Sequence, residues 1–187
     1  MAARINIRKA TVADAAGIAR VQVGSWRDSY RGIVADEWLD SLSVEQRTEV
    51  FRQRLGERGA EFYEMFVAES DGEIVGVCDV GEPRGRAPDC DCAAELYMIY
   101  VSYNQQRRGI GQQLFRRALE LLVADGRDSM YLECLEQNPY RSFYEQLGGE
   151  LCGAGGTVAR VGLEYATIFY KWPDLARTLR TLAERAE

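Results

Sequence analysis

The chain has 187 residues, 47% hydrophobic and 28% charged, which is ordinary globular composition and, by length, one domain over residues 1–187 with a substantial core. The formal net charge of −6 argues against non-specific nucleic-acid binding and leans towards a cationic partner through long-range steering, although many soluble proteins are acidic with no such meaning. No apolar run approaches the ~20 residues of a membrane span, and Met1-Ala-Ala-Arg-Ile-Asn-Ile-Arg8 carries no apolar signal core, so a cytoplasmic location is expected.

Ile5–Lys9 alternates and reads as a first strand. Thr11-Val-Ala-Asp14 resembles a helix start, with Thr11 as cap and Asp14 where a capping box places its acid. Ala15, Ile18, Ala19 and Gln22 continue the helical spacing towards Trp26, and Tyr30-Arg-Gly-Ile33 breaks it. Asp36–Leu42 is a short helical piece, and Ser43-Val-Glu-Gln46 opens a helix through Val50, Phe51 and Leu55. Glu61–Glu69 and Glu73–Val80 are strands joined at the hairpin signal Ser70-Asp71-Gly72. Gly81–Cys92, with two prolines and two glycines, reads as a mobile loop.

Glu95–Val101, rich in β-branched and aromatic residues, is the next strand, and alternation places Glu95, Tyr97, Ile99 and Val101 on one face. A tight turn follows, Gln106-Arg-Arg-Gly109-Ile-Gly111, then a helix on Ile110, Leu114, Ala118 and Leu121/Leu122 that ends at Asp125-Gly126. Ser129–Leu135 is a strand, Asn138 caps a helix with Pro139 in its first position, and Tyr140, Phe143, Tyr144 and Leu147 give that helix an apolar face. Glu150–Val161 is Gly-rich, a weak strand with a flexible turn; Tyr165–Trp172 is a strong strand; Pro173-Asp174 opens a last helix on Leu175, Leu179 and Leu182. One βα crossover flanked by hairpins implies an α/β (α+β) mixed sheet with helices on both faces.

The crossover turn is the chemically suggestive stretch. Gly109 and Gly111 allow close approach to the backbone, the helix start presents unpaired N–H groups and a positive dipole end, and Arg107 and Arg108 add charge. Two readings stand on these residues alone: an anion site, or a plain strand–helix corner. Neither the Walker pattern nor a complete Gly-x-Gly-x-x-Gly is present. The five cysteines are odd in number and irregularly spaced, so no disulfide framework is implied. Cys90-Asp91-Cys92 lacks a second Cys or His pair and the chain has no histidine, so no metal site and no Ser–His or Cys–His relay is expected.

Gln106-x-x-Gly109-x-Gly111 after a strand ending in Tyr100-Val101, followed by Asn138-Pro139, Phe143-Tyr144 and Gly148-Gly149, resembles the GNAT superfamily of acetyl-CoA-dependent N-acetyltransferases. Trp26-Arg-Asp-Ser-Tyr-Arg-Gly32 resembles the acceptor-side helix of bacterial members. The resemblance implies a roughly seven-stranded mixed sheet whose two central parallel strands splay apart. Acetyl-CoA would bind with its diphosphate on Gln106, Arg107, Arg108, Gly109, Ile110, Gly111 and Gln112, and its pantetheine arm against the backbone of Ile99, Tyr100 and Val101. It implies direct attack by an amine in a ternary complex, with Tyr144 donating a proton to the leaving thiolate, an oxyanion donor on the backbone near Tyr100, and Glu95 as candidate base. Asn138 would cap its helix and reach the pantetheine; Trp26, Tyr30 and Tyr97 would line the acceptor pocket. Plain alternatives stand beside these roles: Tyr144 and Trp26 as packing, Glu95 as a solvated strand-end carboxylate, Cys134 as packing. The acceptor would be a small-molecule or peptide amine, and homodimerisation through the last strands is a further expectation. A non-catalytic acyl-CoA-binding or regulatory domain with the same loop is the alternative function.

Overall fold

The computed structural model describes residues 4–57, 61–84 and 91–184. Its seven strands are β1 Ile5–Lys9, β2 Tyr63–Ser70, β3 Glu73–Gly81, β4 Ala94–Val101, β5 Met130–Leu135, β6 Glu150–Arg160 and β7 Leu163–Trp172, and its α-helices are α1 Ala15–Tyr30, α2 Asp36–Ser41, α3 Val44–Gly56, α4 Ile110–Ala124, α5 Arg141–Gln146 and α6 Leu175–Glu184. The strands form one sheet in the order β1-β2-β3-β4-β5-β7-β6. Every neighbouring pair is antiparallel except β4 and β5, which α4 connects as a crossover.

Alternation along the central strands divides the core. On β2, Phe66 and Ala68 face a cluster containing Ile110, Leu114, Phe115 and Leu119 of α4 with Leu175 and Leu182 of α6. Met65 and Val67 face the opposite cluster, with Ile18 and Ala19 of α1 and Phe51 of α3. The sheet is therefore covered on both sides, which explains why β2 and β3 read as nearly continuous hydrophobic runs. Complete burial of a ring such as Phe51 or Phe115 contributes about 1.5–3 kcal/mol.

Two features of the sheet position the site. The parallel pairing of β4 and β5 has only two rungs, Ala94↔Met130 and Glu95↔Tyr131. Beyond them β5 continues along β7 as far as Leu135↔Thr167, while β4 stays with β3 to Gly76↔Val101. The edge of β4 from Leu96 to Val101 is thus left open towards β5. The second feature is a β-bulge: Asp79 pairs with Met98 but Val80 with Leu96, so Tyr97 is the extra residue. The bulge corrects the expected alternation. Leu96, Ile99 and Val101 join the α4-side cluster, whereas Met98 and Tyr100 join the α1/α3 side; Ile99 and Val101 therefore do not share a face with Tyr97.

Other differences are local. The Gly-rich stretch forms an eleven-residue strand, β6, which tolerates its glycines through two irregularities against β7. The helix after Asn138-Pro139 starts only at Arg141. Asn138 Oδ1 accepts from the backbone N–H of Tyr140 at 2.8 Å, an Asx turn placed before the helix rather than a cap on it. The two hydroxyl–acid starts behave largely as expected: Ser43 Oγ accepts from Gln46 N, and the Asp14 carboxylate accepts from Thr11 N at 2.8 Å. Residues 85–90 of the expected mobile loop lie outside the described residues.

Candidate active site

The turn after β4 is shaped by backbone conformation. Arg107 and Gly109 both adopt left-handed φ, 58° and 75°, and Gly109 stands at the head of α4. The Arg107 strain is of a kind concentrated at functional sites. The amides of Gln105 and Gln106 are engaged by Ser102 O and Tyr103 O, and that of Gln113 by Gly109 O. Among the described residues, no acceptor engages the amides of Arg107, Arg108, Gly109, Ile110, Gly111 and Gln112. Six consecutive donors at a helix start, with Arg107 and Arg108 exposed beside them, suit an anion. Gln106 itself turns inward: its Nε2 donates to Val101 O at 3.2 Å, tying the turn to the strand end.

The two glycines have different work. A Cβ at Gly109 would meet nothing nearer than Gln113 Nε2 at 3.9 Å, so its φ is what demands glycine there. A Cβ at Gly111 would stand 3.1 Å from the ring of Phe143. Gly111 therefore also allows the close packing of α4 against α5.

Tyr144 is buried, its ring 5.7 Å from those of both Phe143 and Tyr170. Burial raises its pKa far above the usual phenol range, with Cys134 and Tyr100 adding to the shift and the nearby Asn138 side chain opposing it. A hydroxyl so placed keeps its proton at neutral pH. Cys134 is a packing residue of the α4-side cluster, its thiol pushed up to about 12, mainly by burial, which makes it a poor nucleophile.

On the other side of β4 a cavity of about 260 Å³ is bounded by α1, α2, α3, β3, β4 and the end of β6. Trp26, Trp38, Tyr97 and Tyr100 supply its aromatic surface, and Arg47, Arg54, Arg84 and Arg160 its guanidinium groups. Trp26 Nε1 donates to the Tyr100 hydroxyl at 2.9 Å, and the rings of Trp26 and Trp38 meet edge-on at 5.0 Å. Trp26 and Tyr97 thus both line this cavity. Tyr30 does not: it stands behind Trp26 in a buried group with Val34, Leu39 and Leu135. Arg27 fixes this corner by donating to the carbonyls of Leu39 and Leu42 at the end of α2.

Glu95 is buried and saturated. Its Oε2 accepts from Arg84 N at 2.9 Å and from the Tyr131 hydroxyl at 2.8 Å, and its Oε1 accepts from Arg84 Nε and Nη2. It is not the solvated carboxylate of the plain reading: both of its oxygens are occupied by donors from Arg84 and Tyr131.

The residue that sequence reading missed is Asp79. It is fully buried at the bulge and reaches the cavity wall. One oxygen accepts from the Tyr63 hydroxyl at 2.9 Å; the other has no hydrogen-bond partner. Burial pushes its pKa up to about 6, against the opposing Tyr63 hydrogen bond and the Arg54 and Arg84 charges. The available signal was an aspartate inside the otherwise apolar Val75–Val80 run. Among the described residues no cluster suits a metal ion, and no described helix is long and apolar enough to cross a membrane. Cys90 lies outside the described residues.

Comparison with known proteins agrees with this geometry. The sequence model of the acetyltransferase (GNAT) family matches residues 26–149. The chain is 31% identical over 182 residues to the uncharacterized N-acetyltransferase YuaI of Bacillus subtilis, covering 97% of this chain and 99% of that one. It is 27% identical to the phosphinothricin N-acetyltransferase of Streptomyces viridochromogenes, covering 86% and 81% of the two chains. Its fold matches a PaiA N-acetyltransferase from Thermoplasma acidophilum, solved in complex with coenzyme A, with a TM-score of 0.65 and 22% identity over 90% of this chain and 99% of that one. With the splayed strands and the amide-lined turn already in place, the family match over most of its length assigns the chain to the GNAT family of acetyl-CoA-dependent N-acetyltransferases.

Proposed function

We propose that this protein transfers the acetyl group of acetyl-CoA to a primary amine by direct attack in a ternary complex. The observation that carries the reading is the run of six unengaged amides, Arg107 to Gln112, beside the open edge of β4. The amides would hold the diphosphate, and the backbone of Ile99 to Val101 would pair with the pantetheine as an added strand does. Bound there, acetyl-CoA supplies the activated thioester.

The chain's own residues do the rest. Tyr144, kept protonated by its burial, holds the proton that the departing sulfur takes. Asn138, whose Oδ1 is held by the Tyr140 amide, would reach the pantetheine amide with its side-chain N–H. Trp26, Tyr97 and Tyr100 exclude water from the acceptor side. Glu95 acts as a positioning residue that clamps Arg84 and Tyr131.

The test is Tyr144→Phe assayed by free-thiol release across amines, amino acids, phosphinothricin and peptides. A kcat loss of about 10²-fold or more, with coenzyme A affinity retained, is expected for a lost proton donor. Unchanged turnover removes Tyr144 from the mechanism. Coenzyme A binding with no transfer to any acceptor would select the non-catalytic reading instead.

A further inference from the structure

The charges around the acceptor cavity do not cancel. Four guanidinium groups reach its wall, from Arg47 and Arg54 on α3, Arg84 after β3, and Arg160 at the end of β6. Arg84 is paired with Glu95. Arg54 stands 3.9 Å from Asp79, the carboxylate in the wall. That leaves Arg47 and Arg160, which have no carboxylate partner among the described residues.

Arg47 is the more telling of the two. It is half-buried, with Nε donating to Gln22 Oε1 at 2.6 Å and its guanidinium 5.2 Å from the Phe51 ring centroid. The Gln22 bond fixes the plane of the group and leaves its terminal nitrogens without a partner. Those nitrogens are open to the cavity that Arg47 lines, where an anion would meet them. Arg160 lies across the cavity with its guanidinium 5.2 Å from the Trp38 ring centroid. Arg160 Nη1 donates to Ala159 O at 2.7 Å, so Arg160 offers its remaining donors, whereas Arg47 offers both terminal nitrogens, and a planar guanidinium matches a carboxylate in two-point contact.

We infer that the acceptor is an amine that also carries a carboxylate, the acid seated on Arg47 and Arg160 between the Trp26 and Trp38 walls and the amine directed towards β4. This inference rests on the acetyl-transfer reading of the same site. It also reverses the expectation drawn from net charge: a chain of −6 presents a locally positive acceptor cavity, so only the local field is relevant to docking.

The experiment uses matched probes: glycine, β-alanine, 4-aminobutyrate and phenylalanine, each against its own carboxamide. Transfer is read by thiol release from acetyl-CoA, and binding by tryptophan fluorescence with coenzyme A present, since Trp26 and Trp38 line the cavity. At least one acid is expected to exceed its carboxamide by about tenfold or more in kcat/KM, with most of the difference in KM. Arg47→Met, which keeps the packing over Phe51, should reduce that preference to about twofold or less. Arg160→Gln is read in the same way and replaces it if Arg47→Met fails to fold. Equal use of acids and carboxamides, or no binding of any acid, overturns the inference and leaves acetyl transfer standing on its own test. Selective acid binding that Arg47→Met abolishes, without any acetylation, upholds the cavity's preference and overturns the transfer reading.

Discussion

The turn between Gln106 and Gln112 and the arginine-lined cavity are two ways of building a binding surface. The turn is made from consecutive residues, and its donors are main-chain amides that any side chain would supply. The cavity is assembled from α1, α2, α3, β3, β4 and β6, and its character comes from side chains distant in sequence, such as Arg47 and Arg160. The first kind leaves a short pattern in the sequence, because glycine is needed where φ is positive. The second exists only after the sheet has formed. A family can hold the first constant while the second changes with each acceptor.

Substitutions can break or sharpen this contrast, and the largest effect is expected at Asp79. Its unfolded pKa is the ordinary 3.8 and its folded value about 6. The folded protein therefore binds the extra proton, and stability falls as pH rises through that window. Asp79→Asn removes the penalty, so urea denaturation should show a gain on the order of 3 kcal/mol at pH 8 that vanishes near pH 4. No gain would mean that the cavity wall is wetter than its burial implies.

Asp14 provides the opposite slope, away from both halves of the site. Its pKa is lowered to about 2, chiefly by the Arg8 hydrogen bond, so its contribution is full above 3.8 and is lost as pH falls towards 2. Asp14→Ala should cost roughly 2 kcal/mol at pH 7 and much less at pH 2.5 by the same denaturation.

Gly109→Val forces a β-branched residue into φ 75°, at about 1–2 kcal/mol. Coenzyme A affinity, measured by calorimetry, should drop about tenfold for 1.4 kcal/mol of that, with acid-probe binding at the cavity unmoved. Loss at both would show that the two halves are not separable. The smallest effect is expected for Gly111→Ala, whose new methyl would stand 3.1 Å from Phe143; about 1 kcal/mol of thermal stability should be lost, and Phe143→Leu should recover part of it.

Much of the fold was legible because its signals are local. The α4 stripe of Ile110, Leu114 and Ala118 is buried as its spacing implies, and the hairpin at Asp71-Gly72 lies between β2 and β3. The bulge at Tyr97 was not legible, since the extra residue is defined only against β3, and the error in the faces of β4 followed from it. The late start of α5 at Arg141 was hidden because an Asx turn and a helix cap use the same side chain. Asp79, Arg47 and Arg160 carried no pattern of their own: each is an ordinary polar residue until topology brings it to the cavity.

Phe143 leans on the first turn of α4 at Gly111, and the next residue in the chain is Tyr144. The segment proposed to hold the nucleotide end of the cofactor and the segment that carries the Tyr144 hydroxyl are thus in direct mechanical contact. A shift of a few tenths of an ångström at one is passed to the other through a single aromatic ring. Substitutions near Gly111 should therefore register in turnover even where affinity for coenzyme A is preserved.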